Sequence, residues 1–434
     1  MSGNERKPLV PRLRFPEFKD EWRLLPMSAG YTFRGNNSLS RDKLNYTNGS
    51  YRNIHYGDIH TKFAQHFHAD AEPVPYINEG ESHSTIRPEN YCMAGDMVFA
   101  DASEDMADIG KAIEIIDAGD VPLVSGLHTI LARPNKGSMA LGFGAYLFSS
   151  GGLRKQIQRE AQGAKVLGLS PTRLGNVKLY YPSRLDEQKK IADCLSSLDD
   201  LIAAETQKLD TLKTHKKGLM QQLFPREGEA VPQLRFPEFR DAPEWRNKQI
   251  AELGEIITGK TPSTADADLW GGDILFITPT DVDEDGKYQE TSQRTVVATT
   301  GLKLLPTGSI AYTCIASIGK LAITVRPSVT NQQINSVVAR SDVENEFIYY
   351  ALVHLTPSIK SIPATSTLPI INKTDFSKIN IWIPTDRTEQ KTVADCLSSL
   401  DDLITAQNQK IDALKTHKKG LMQQLFPTLD EVDA

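Results

Sequence analysis

Eight residues, Gly254 to Thr261, read GEIITGKT and fit the spacing G-x-x-x-x-G-K-[ST], in which a loop following a buried strand cradles phosphates with backbone amides and a lysine. The surroundings argue against that chemistry. The preceding WRNKQIAEL is largely polar, Pro262 follows at once, and Glu255, Ile256, Ile257 and Thr258 are poor material for a loop of inward amides. The matching stretch in the first half, GYTFRGNN from Gly30 to Asn37, carries asparagine where the lysine would stand. A loop whose Lys260 or Arg34 touches a phosphate is the simpler reading. An ATP-binding protein built on Lys260 is the alternative.

His55, His60, His66 and His68 crowd one region, but their spacing is irregular and no cysteine lies close. Solvated or base-contacting rings are expected there in preference to a metal site. Neither a D-P-P-Y or N-P-P-F methyltransferase motif nor a nuclease pattern is present, so the chain reads as non-catalytic. Its polar loops suit another task, since side-chain amides pair bidentately with adenine edges. Asn331, Gln332, Gln333 and Asn335 supply four amides, and Arg34, Asn36, Asn37, Arg41 and Lys43 form a basic-amide stretch. His128, Lys165, Lys260, Thr261, Ser263, Lys320, Thr365, Ser366, Thr367 and Lys373 complete the candidate DNA-contacting set. A solvated loop is the plain alternative for each.

The elements that must position these loops are written twice. Glu187–Pro225 and Glu389–Pro427 differ at only seven of 39 paired positions. A second phrase, VPRLRFPEFKDEWR from Val10, returns as VPQLRFPEFRDAPEWR from Val231. Within the longer repeat, apolar residues step by four, then three. The seam runs through Leu195, Leu198, Ile202, Leu209 and Leu212, and again through Leu397, Leu400, Ile404, Ile411 and Leu414. That is an a/d heptad pattern over about five heptads. Glu205 and Lys216, matched by Gln407 and Lys418, interrupt it with polar groups. The repeated THKKGLMQQLF exceeds what a seam needs. It fits a twofold-related docking surface for two copies of one partner, or a duplication that has not diverged.

The segments between the repeats look unlike each other, yet both mix β-branched runs with glycine turns. YRNIHYGDI, GDMVFA and NVKLYYP read as strands in the first; DILFITPTDV, GSIAYTCI, KLAITV, INSVVA and INIWIP do so in the second. Helices are expected at Gly142–Arg159 and Glu344–Ser361. AGDMVFA before IGKA parallels TGSIAYT before IGKL, and VSGLHTIL occupies the place of TNQQINSV. Both segments are therefore expected to share one fold that has diverged in its loops, as altered binding specificity requires; neutral drift is the alternative.

Bulk properties set the limits. A chain of 434 residues can hold two or three cores. It has no apolar run long enough for a membrane span and no signal-peptide core at its start, so a cytoplasmic location is expected. Cys92, Cys194, Cys314 and Cys396 are far apart and read as buried apolar residues. A net charge of −6 lacks the basic footprint of an autonomous nucleic-acid binder.

Two variable segments alternating with two repeated helices, together with TNQQIN, CIASIGK, GKTPS and EQKxxADCLSSLDDLI…KKGLMQQLFP, closely resemble the specificity (S) subunits of type I restriction–modification systems. The resemblance covers nearly the whole chain. It implies a mixed α+β fold of two target recognition domains, at 1–186 and 226–388. A central helix at 187–225 and a C-terminal helix at 389–427 would form an antiparallel coiled coil with pseudo-twofold symmetry, and 428–434 would be a tail. It also implies a partner set: double-stranded DNA, two modification subunits that use S-adenosylmethionine to methylate adenine, and ATP/Mg-dependent restriction subunits. No cofactor is expected on this chain. The competing reading is a coiled-coil scaffold that joins two partner proteins without reading DNA.

Overall fold

The computed structural model describes residues 11–81, 86–284, 286–298, 302–361 and 370–427. The chain divides into two compact units, residues 1–204 with 411–434 and residues 205–410. The heptad segments fold as two helices of 39 residues, Leu185–Leu223 and Arg387–Leu425. Each ends two residues before a proline, Pro225 or Pro427, because the residue preceding proline disfavours helical geometry. The division runs through both helices, so each unit owns the start of one and the end of the other.

In unit 1, Ile191, Ala192 and Leu195 share a core with Leu425 and Phe426. In unit 2, Met220, Leu223 and Phe224 share one with Val393, Ala394 and Leu397. Start meets end in both units, which is antiparallel coiled-coil pairing. Leu195, Leu209, Leu397 and Ile411 are buried; Leu198, Ile202, Leu212, Leu400, Ile404 and Leu414 are half-buried. The polar seam positions are paired as well. Gln407 Nε2 donates to Glu205 Oε2 at 2.6 Å, and Lys410 Nζ lies 2.5 Å from Glu205 Oε1.

The two variable segments have one topology. In unit 1 a five-stranded sheet runs in the order Tyr31–Arg34, Thr129–Pro134, Met97–Ala100, Ala112–Asp117, His66–His68. In unit 2 the order is Gly254–Thr258, Ile334–Ala339, Ile310–Thr313, Leu321–Thr324, Tyr288–Gln289. The first three neighbour pairs are antiparallel and the last parallel in both sheets. A smaller sheet flanks each, with a parallel pair at its heart: Leu123–Ser125 on Arg52–Ile54, and Ser328–Thr330 on Trp270–Ile277.

Two departures from the sequence expectation, and one repeated turn, have local causes. HYGDI is not strand: Arg52–Ile54 ends at His55, whose Nδ1 accepts the Gly57 N–H at 3.1 Å and caps a helix at Tyr56–Thr61. The helix expected at Gly142–Arg159 breaks at Ser150, which is extended and followed by two glycines, into Phe143–Ser149 and Gly151–Glu160. Its counterpart Asn345–Ser361 is continuous. The repeated IGK is a tight turn. Its glycines Gly110 and Gly319 have φ of 65° and 88°, and an added Cβ would meet Ile157 or Thr356 at 2.4 Å.

Two clamps tie each variable segment to the helices, and both occur twice. Glu187, buried at the start of the central helix, takes Arg14 in a two-point ion pair (2.8 and 2.9 Å) and the Trp22 indole N–H (3.1 Å). Glu389 takes Arg235 (2.7 and 2.8 Å) and Trp245 (2.9 Å) in the same way. This is the physical reason the phrase LRFPEF…EW recurs. In the second clamp, Tyr146 donates to Asp199 (2.8 Å), which pairs with Lys418; Tyr350 donates to Asp401 (2.6 Å), which pairs with Lys216. Each lysine also lies over its tyrosine ring, at 5.3 and 5.4 Å.

Candidate nucleic-acid interface

The shared topology lets the loops be matched by hydrogen bonds. Asn37 N donates to Ser125 O at 2.9 Å, as Lys260 N donates to Thr330 O at 2.9 Å. Asp101 N donates to His128 O, as Cys314 N donates to Gln333 O. Asn37 therefore stands where Lys260 stands, and His128 where Gln333 stands. The first match is one residue away from the alignment read from GYTFRGNN and GEIITGKT. Gly254–Thr258 is itself a sheet strand paired with Asn335–Ala339, so the phosphate-loop spacing falls on backbone committed to a ladder.

In unit 1 most of the basic-amide stretch is already engaged by partners within the protein. Arg41 holds the buried Asp58 through two contacts (2.7 and 2.9 Å), which keeps that carboxyl below its ordinary range against the opposing effect of burial. Lys43 pairs with Glu81 at 2.9 Å. Asn37 is buried, donating to Asn53 and Ser125 O, and Asn36 donates to Thr129 O at 2.8 Å. Arg34 is half-buried with its Nε unpartnered. The exposed candidates are Asn36, Arg41, His128 and, on the 162–166 loop, Lys165. His128 has φ of 58°, a strained value for a side-chain-bearing residue. Its Nδ1 lies 3.1 Å from Asp101 Oδ1 and its ring stands edge-on to Tyr56. With Nδ1 facing the carboxylate, Nε2 is the ring nitrogen left for a further contact. No motif marks Asp101 or Tyr56 in the sequence, because they reach His128 only through folding.

The histidine cluster is dispersed into backbone contacts. Besides the His55 cap, His60 Nε2 faces Ala102 O and His66 Nε2 faces Gly142 O, and burial lowers the His66 pKa.

In unit 2 the four amides separate into inner and outer pairs. Asn335 is buried, accepting from Thr258 Oγ1 at 2.6 Å and donating towards Cys314 Sγ. Asn331, also buried, braces Gln333 through its backbone N–H and side-chain oxygen, both at 3.0 Å. Those two shape the loop and do not project from it. Gln332 is exposed and accepts from Thr261 Oγ1 at 2.6 Å, and Gln333 is half-buried. Lys260, Ser263 and Lys373 are exposed. Lys320 turns inward to Val282 O, as Lys111 of the other IGK turns to His60 O. Thr365, Ser366 and Thr367 lie outside the described residues.

A retained frame carrying two versions of one α/β domain, alike in sheet and clamps and unlike in loops, defines a protein of paired recognition modules. The chain belongs to the type I restriction modification DNA specificity domain family, whose family model matches residues 68–214 and 243–416. It is 33% identical over 190 residues to the type I restriction enzyme MjaIX specificity subunit of Methanocaldococcus jannaschii, a match spanning 42% of this chain and 44% of that protein. Solved structures of similar fold include the S subunit of a type I restriction-modification system from M. genitalium, at TM-score 0.57 and 14% identity, over 96% of this chain and 99% of that one. A chain from work on complex assembly and conformational transition of the type I R-M system aligns at TM-score 0.61 and 15% identity, over 93% of this chain and 97% of its own.

Proposed function

We propose that this chain is the sequence-reading subunit of a type I restriction–modification complex. Unit 1 reads one half of an asymmetric bipartite DNA target, unit 2 reads the other, and the helices set the spacer. The chain performs no chemistry and binds no cofactor. Two adenine-methyltransferase subunits carrying S-adenosylmethionine dock on the helices, and restriction subunits using ATP and magnesium join them in the cytoplasm.

The observation that carries this reading is the matched pair of loops. On frames whose backbone hydrogen bonds match at these loops, position 128/333 offers an imidazole in one unit and an amide in the other, and at position 37/260 an exposed lysine of unit 2 stands where unit 1 has a buried asparagine. Base edges are discriminated by such changes of donor and acceptor. The net charge of −6 is compatible if partner subunits supply most phosphate contacts.

The test is selection from randomised duplexes by the full chain, with and without its modification subunits. A split consensus is expected; no sequence preference would sink the reading and leave the scaffold alternative. Replacing Gln332 and Gln333 with alanine should relax one half-site only, by about 1–3 kcal/mol per lost bidentate contact.

A further inference from the structure

We propose that Arg294 reads a guanine in the half-site of unit 2, its guanidinium held flat on the indole of Trp270. The assignment rests on the DNA-recognition function proposed for the chain. It concerns a residue pair that no periodicity or motif in the sequence marks.

The stack is built by a defect in the small sheet. Trp270–Ile277 and Arg294–Val296 pair antiparallel, but Trp270 and Ile274 both oppose Val296, so the intervening residues bulge. Gly271 takes φ of 81° there, and an added Cβ on Gly272 would meet Val296 O at 2.5 Å. Bulges re-aim side chains, and this one folds Trp270 back until its ring stands edge-on to Phe276, centroids 5.1 Å apart. The indole N–H donates to Ser263 O at 3.0 Å, which fixes the ring from its other edge. Arg294 then lies with Cζ 3.4 Å from the ring centroid.

Stacking occupies the face of a guanidinium and leaves its in-plane N–H groups for hydrogen bonding. Arg294 is exposed, and among the described residues no carboxylate or carbonyl takes those donors. Arg52 of unit 1 is a useful contrast: it lies 5.5 Å from the Tyr76 centroid, but its donors go to Asp70 and Ala69 O. Ser263, which pins the indole, lies two residues from Thr261, which binds Gln332, so the stack is tethered to the segment that carries Lys260 and holds the exposed amide. A planar two-donor fork held rigid beside base-reading amides matches the O6/N7 pair of guanine in the major groove. A DNA phosphate offers a similar pair of acceptors, and the experiment separates the two.

The full chain with its modification subunits is used to select from a randomised duplex library, comparing the unaltered protein with Arg294→Ala, Arg294→Lys and Trp270→Leu. The half-site of unit 2 is the one that the Gln332/Gln333 double substitution relaxes. The unaltered protein should require guanine at one position there. Arg294→Ala and Arg294→Lys should each lose that preference by at least about fivefold while the other half-site is unchanged. Trp270→Leu, which keeps the charge and removes the platform, should weaken the same position. A guanine preference that survives Arg294→Ala overturns the assignment. So does a uniform loss of affinity with a shallower salt dependence in Arg294→Ala that Arg294→Lys restores, since that marks a phosphate contact. If the unaltered protein selects no consensus, the DNA-recognition reading itself fails; if it selects one that Arg294→Ala leaves intact, only the arginine's role does.

Discussion

Glu389 is 1% exposed, yet both its oxygens are engaged by Arg235, and the Trp245 indole adds a third donor. Removing one member of a buried ion pair strands the other without solvent. Glu389→Ala should therefore cost about 3 kcal/mol or more, read as a shifted midpoint in denaturant unfolding. Glu114 offers a pH test in unit 1. It accepts the backbone N–H groups of Gly142 and Ala145 at 2.7 Å each, and burial raises its pKa from 4.5 to about 7. A carboxyl raised in the folded state holds a proton that the unfolded chain has released. Its stabilising contribution is thus full below about 4.5 and is lost as pH rises through about 7. Unfolding of the protein at pH 5 and pH 8 should show unit 1 weakening at the higher pH. Glu114→Gln, with no proton to lose, should flatten that dependence; an unchanged slope would assign it to other groups.

The long helices were the most legible elements, because a heptad repeat states its own buried stripe: every seam position from Leu195 to Leu212 and from Leu397 to Leu414 is buried or half-buried. The strands of the second segment were nearly as plain, since Ile334–Ala339 and Asn380–Ile383 are β-branched runs. HYGDI misled because a histidine cap is a geometric event that alternation does not announce. The candidate site was less readable still. Asn335 and Gln332 are three residues apart and chemically alike, but one is sealed against Thr258 and the other is exposed. Which amide projects depends on the neighbouring strand, and composition holds no trace of that. Within the helices, Glu205 and Gln407 put a hydrogen-bonded polar pair in the seam, a kind of pair that can fix register at a cost in stability. Glu205→Leu with Gln407→Leu should raise the unfolding free energy by about 1 kcal/mol or more, read from denaturant unfolding. It should also admit alternative registers, detectable by cysteine cross-linking along the seam.

At the scale of the whole chain, the repeat is a division of labour between parts that must match and parts that must differ. Helices of 39 residues are about 58 Å long each. On the proposed reading, one heptad inserted after Glu205 and one after Gln407 should change the preferred spacer and leave both half-sites readable. Sequencing of selected duplexes checks this, and an unchanged spacer contradicts it. The near-identity of the two helix segments also has a genetic consequence. A crossover between their coding stretches would excise 202 codons and join residues 1–186 directly to residues 389–434. In that shortened product Glu389 could still receive Arg14 and Trp22, because Glu187 and Glu389 hold equivalent clamps. The tyrosine clamp could not close alone: Asp401 and Lys418 would then lie on the same helix, 17 residues apart, and each would need its partner from a second molecule. On the proposed reading, one recombination event would exchange an asymmetric reader for a homodimer with a palindromic target.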